Sequence, residues 1–228
     1  MDFYLQKLLW NPFKWVGHQF GRIKGKWTIA LFTLLFLSGV IGYVFPNFLD
    51  SSILNIMPVS LASLGLVLIL QAFSERGDVL IAWFSIAAAQ LFFSLSIALH
   101  SPNFDMIQIL IFSGGSLLSA IVGFFCLIKI KSIESTISLG QFHGYIYEYP
   151  KTGFFFLVAC LGIIGLPFTP TFIGIDLLFS HIGKNQVPMI VIMTVSYLLL
   201  ELSILRIYSR IFLGIHKKAY HAIVFRSS

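Results

Sequence analysis

The sequence predicts an all-α integral membrane protein of about six transmembrane helices, the fifth broken across residues 165–170 and both termini cytoplasmic. Three observations predict it. Charged residues make up 11% of the chain and hydrophobic residues 57%, where a soluble domain carries roughly 25% charged; too few charges remain to cover a water-facing surface. Apolar runs of about 20 residues, long enough to cross ~30 Å of hydrocarbon, recur from end to end. The lysines and arginines gather between alternate runs instead of scattering.

The spans read as 27–45, 53–73, 79–99, 107–130, 152–182 and 187–214. Turn and polar signals separate them: Pro46-Asn47, Ser74-Glu75-Arg76-Gly77-Asp78, Ser101-Pro102-Asn103 and Gly183-Lys184-Asn185-Gln186. Six spans put both termini, loop two and loop four on one side. That side holds Lys7, Lys14, Arg22, Lys24, Lys26, Arg76, Lys129, Lys131, Lys151, Arg206, Arg210, Lys217, Lys218 and Arg226, leaving only Lys184 opposite. Positive charge stays inside, so the basic side faces the cytoplasm and the protein belongs in the cell's inner membrane. Merging or splitting one span would spoil the segregation.

Residues 1–26 set Phe3, Tyr4, Trp10, Phe13 and Trp15 among Lys7, Lys14, Arg22 and Lys24. Rings at headgroup depth with cations near anionic lipid suit an interfacial segment, or a helix that docks on a partner. The transmembrane domain covers 27–216 and a cytoplasmic tail 217–228. No separate extramembrane domain is expected. Nor is a cleavable signal peptide, since the basic start leads into a full-length span without a small-residue cleavage site. The net charge of +6 reflects this membrane asymmetry and is not an expectation of nucleic acid. Cys126 and Cys160 sit in apolar runs without metal-ligand spacing and read as buried small hydrophobes. There is no Walker loop, dinucleotide fingerprint, His-Glu-x-x-His or haem-ligand pair, so no cofactor is expected and the parts of a soluble enzyme are missing.

Span four carries Gly115, Ser119 and Gly123 at four-residue spacing, a stripe that lets another helix approach closely. Span five is too long for one straight helix and holds Gly165-Leu166-Pro167 and then Pro170. Proline removes a backbone donor and clashes with the preceding turn, so two half-helices joined by a loop are predicted. Such breaks line ion sites or shape packing. Asp176 on the second half is an intramembrane or interfacial carboxylate. Glu201 lies near the middle of span six, where Thr194, Tyr197, Glu201 and Tyr208 recur at helical spacing as one polar stripe. A carboxylate there exchanges a proton or ion, or makes an interhelix contact. In loop four His143 and Glu148 are a proton shuttle at the cytoplasmic mouth or simply solvated.

Gly144 and Pro150, an apolar half-helix, then Gly165-Leu166-Pro167-Phe168-Thr169-Pro170-Thr171-Phe172-Ile173-Gly174 form a pattern with a known likeness. It resembles the proton-conducting, antiporter-like membrane subunits of respiratory complex I, whose relatives occur in multisubunit cation/proton antiporters, membrane hydrogenases and inorganic-carbon uptake complexes. Ala82-Trp83-Phe84-Ser85-Ile86 with Gln90, and the 206–214 end of span six, are compatible, so the likeness covers roughly 78–216. It implies proton or sodium transfer coupled to a partner's reaction, with other membrane subunits as partners and Glu201, Asp176, His143, Tyr197 and Thr194 along the pathway. It also implies that Ile175 stands where the family carries its key lysine or glutamate, and that this chain matches one half of a family member. A non-conducting structural subunit, a stand-alone small-solute transporter and a component of an inorganic-carbon uptake complex are the alternatives.

Overall fold

A computed structural model describes residues 25–45, 50–100, 106–134, 137–180 and 186–215. Residues 1–24 of the interfacial segment, Lys184 and the 217–228 tail lie outside them. Among the described residues there are seven helices and no strand: α1 (Gly25–Val44), α2 (Ser51–Ser74), α3 (Val79–His100), α4 (Met106–Ile133), α5 (Pro150–Ile164), α6 (Pro170–Ser180) and α7 (Val187–Phe212). Four of them, α2, α3, α4 and α7, are long and apolar enough to cross a membrane. They lie where spans two, three, four and six are predicted, and α1 lies on the first. The predicted fifth span is two helices, α5 and α6.

The helix α3 is the hub, and its sequence explains why. It carries no charge between Val79 and His100, and Trp83, Ile86, Ala89, Gln90, Phe93, Ser96 and Ile97 are all buried. Each neighbour meets it through a specific fit. Phe92 packs edge-on against Phe32 and Phe36 of α1. Phe93 lies over Gly65 of α2 and beside the Tyr197 ring of α7, 5.7 Å between centroids. Trp83 packs on Phe156 of α5 at 4.9 Å and over Gly123 of α4, and its indole N–H donates to Ala120 O at 2.9 Å. Ser96 donates to Pro58 O of α2 at 2.6 Å.

The ends of the helices gather Arg76, Lys131, Arg206 and Arg210 together. Glu75 Oε1 accepts the N–H groups of Arg76, Gly77 and Asp78, which closes α2, and Asp78 Oδ1 caps α3 at Leu80 N. Asp78 pairs with Lys131 of α4 at 3.0 Å. Arg206 of α7 donates to Phe73 O and Glu75 O, satisfying carbonyls that a helix C-terminus leaves open. Ser138 donates to Arg76 O, and the backbone of His143, Tyr145 and Ile146 bonds to Arg210, Ile211 and Phe212. Four of the fourteen basic residues expected on one side therefore lie close together in the fold.

The outer surface is apolar. Leu118 and Phe125 of α4 are 65% and 67% exposed, and Leu34 of α1 is 66% exposed. Continuous apolar surface on this scale suits hydrocarbon and not water.

Candidate functional site

The break between α5 and α6 is built from two prolines and one glycine, and the two carbonyls that the prolines leave without a donor both find one. Gly165 takes the left-handed conformation (φ 84°), and the Gly165 and Leu166 N–H groups both turn back to Leu161 O at 3.1 Å. In a continuous helix Ile163 O would accept from residue 167, but Pro167 has no N–H. Gln90 of α3 donates its Nε2–H to that carbonyl instead, at 3.4 Å. Leu166 O, which faces Pro170 four residues on, accepts the N–H and the hydroxyl of Thr169, both at 2.8 Å. Pro170 then opens α6, where a missing N–H costs nothing.

The second side of Gln90 reaches α7. Tyr197 donates its hydroxyl hydrogen to Gln90 Oε1 at 3.4 Å, and Gln90 is only 1% exposed. A buried polar line therefore runs from α7 through α3 to the open carbonyl of α5.

The small-residue stripe of α4 lies along the break. Gly162 packs on Ser119, and Thr171 N and Oγ1 approach Gly115 so closely that a Cβ there would meet them at 2.7 and 2.8 Å. Ser119 and Gly115 are about 6 Å apart along α4, whereas a helix running from Gly162 to Thr171 would rise about 13 Å. The break absorbs the difference in a turn. Thr171 is fully buried, and its hydroxyl has no hydrogen-bond partner among the described residues. Ile175 reaches back over Gly165; a Cβ on Gly165 would meet Ile175 Cδ1 at 2.5 Å.

The predicted polar stripe of α7 is divided. Tyr197 touches Phe93 and Gln90, and Tyr208 stacks between Phe156 and Phe212. Thr194 and Glu201 are exposed. Tyr197 and Glu201 differ by only about 40° around the helix, and the boundary between core and outer face passes between them. Asp176 of α6 is also exposed on the outer face. Neither carboxylate enters the Gln90–Tyr197 line.

His143 lies at the basic end of the bundle. Its Nε2 is 2.8 Å from Ser138 O, and its ring stacks on Tyr145 at 5.0 Å. Burial, reinforced by the nearby Glu148 carboxylate, pushes the Tyr145 and Tyr149 hydroxyls above their ordinary range. Arg210 sits over the Phe142 ring at 4.2 Å. This layer holds loop four onto α7.

The sequence pointed to Tyr197, to the break and to the stripe Gly115, Ser119 and Gly123. It did not single out Gln90 as the donor for the break or Thr171 as a buried hydroxyl. One signal was present: a proline inside a helical pattern names the carbonyl four residues before it as needing a partner. No family model, no curated protein and no solved structure matches the chain.

Proposed function

We propose that this chain is a membrane subunit of a multisubunit ion-translocating complex, taking part in proton or sodium transfer coupled to a reaction in a partner subunit. The observation that carries this reading is the interrupted α5–α6 pair, whose open Ile163 carbonyl joins Gln90 and Tyr197 inside the bundle. Interrupted helices at membrane depth are tolerated where protein or a wet cavity satisfies them, and they recur at ion sites. The oxygens of Ile163, Gln90 and Tyr197 suit a hydrated proton or a hard cation. The resemblance of 78–216 to antiporter-like subunits agrees with it. The reading takes six spans, counting α5–α6 as one, with both termini cytoplasmic in the inner membrane and no redox chemistry of the chain's own.

A second reading, a non-conducting structural subunit, is favoured by Ile175. It fills the space over Gly165 with an alkyl group, and Asp176 one residue later is exposed on the outer face. A stand-alone transporter would work without partners. An inorganic-carbon uptake complex would reveal itself by what co-purifies.

Ion flux in proteoliposomes of the intact complex separates these. Q90L and Y197F should each lower flux about tenfold without loss of subunits, and E201Q and D176N should lower it if the outer carboxylates serve the pathway. Unchanged flux in all four variants removes this chain from conduction and leaves the structural reading.

A further inference from the structure

We infer that the flank of α7 carrying Glu201 is the seat of a transmembrane helix from a different chain, one that brings a lysine or arginine to the same depth. The inference rests on the reading above only in that a partner subunit exists. Four observations carry it.

Glu201 is central along α7, a helix long and apolar enough to cross a membrane: it lies about 21 Å from Val187 and about 16 Å from Phe212. It is exposed and makes no hydrogen bond or ion pair among the described residues. A carboxylate held there against hydrocarbon is costly, so the face is incomplete as it stands.

The surface beside it has the pattern of a helix seam. Val191, Val195, Leu198, Leu202 and Leu205 are all exposed and recur at alternating spacings of four and three. That is the a/d ridge of knobs-into-holes packing, and Thr194 and Glu201 fall on one flanking row, seven residues apart. Charges in that row pair with the opposite charge on the neighbouring helix.

No cation among the described residues answers it. Arg206 is about 140° away around α7, and its guanidinium is engaged with Phe73 O and Glu75 O. Lys131 is held on Asp78, and Arg76 and Arg210 meet loop four at the basic end. A second copy side by side would bring the described cations Arg76, Lys131 and Arg210 to that same end, not to the level of Glu201.

A photo-crosslinking residue at Leu198 of the full chain, in its native membrane, tests the seat. The expected adduct is with one other membrane protein, mapped by mass spectrometry to a transmembrane segment with a lysine or arginine within one helical turn of the crosslinked position. E201Q should cut the adduct at least tenfold. E201K combined with a glutamate at the partner's cation should restore at least half of it. An adduct with lipid only, with a second copy, with residues 1–24 of this chain or with a segment lacking a cation overturns the inference. So does an adduct that survives E201Q. The same probe at Phe125 of α4, on another exposed face, should capture lipid in wild type and E201Q alike, which shows that the variant is folded. If the adduct is as expected while flux ignores Gln90 and Tyr197, ion transfer fails and the seat stands. If flux needs both residues while Leu198 captures only lipid, the reverse holds.

Discussion

Gln90 on α3 supplies the hydrogen-bond donor that Pro167 withholds from α5. The two residues are far apart in the chain, yet Gln90 meets the α5 carbonyl that Pro167 leaves without a donor. Replacing Gln90 by leucine keeps the volume but leaves Ile163 O buried and unmet, and costs about 1–3 kcal/mol. Y197F removes one donor to Gln90 Oε1 and costs about 1 kcal/mol. Reversible unfolding in mixed micelles should rank Q90L as the more damaging. An equal or reversed order would mean that the amide does not hold the break.

Neighbouring glycines of α4 make an internally controlled pair. A Cβ on Gly115 meets the backbone N of Thr171 at 2.7 Å, and backbone has little room to yield; a Cβ on Gly114 meets nothing within 4 Å. G115A should therefore destabilise the bundle by about 1–3 kcal/mol, as overpacked cores do. G114A should be neutral, or stabilising by up to about 1 kcal/mol through helix propensity. Equal effects in the unfolding assay would remove the close approach of α6 to α4.

Alkaline pH should loosen loop four first. Burial and Glu148 hold the Tyr145 and Tyr149 hydroxyls above the ordinary value of 10.0. The folded state therefore binds more protons than the unfolded one above that pH, and stability falls as pH rises through it. Below pH 10 the contribution is complete. Hydrogen exchange at the Tyr145 and Ile146 amides, which bond to Ile211 and Phe212, should accelerate above pH 10 beyond the intrinsic pH effect. Y145F should abolish most of the excess.

Much of the fold was legible because its signals are local. Apolar run length and polar separators placed α2, α3, α4 and α7 within a few residues, and Gly165, Pro167 and Pro170 marked the break. The facing of side chains was not legible in the same way. Tyr197 and Glu201 share a polar stripe by periodicity, but a boundary between core and outer face passes between them. Which side of that boundary each occupies depends on where α3 and α5 stand. Gln90 shows a similar limit: its partner carbonyl is 73 residues away, and only the packing of α3 against α5 brings them together.

The open carbonyl of α5 also imposes an order of events on synthesis. At fifteen residues, α5 is about 22 Å long, too short to cross ~30 Å of hydrocarbon alone. Released by itself, it would carry an unmet Ile163 carbonyl into lipid. The ribosome makes the donor first, on α3, then the acceptor, on α5, and last the tyrosine of α7 that holds the donor in place. For that carbonyl the direction of translation and the direction of assembly coincide: when Ile163 is made, the Gln90 amide that meets it is already in the chain.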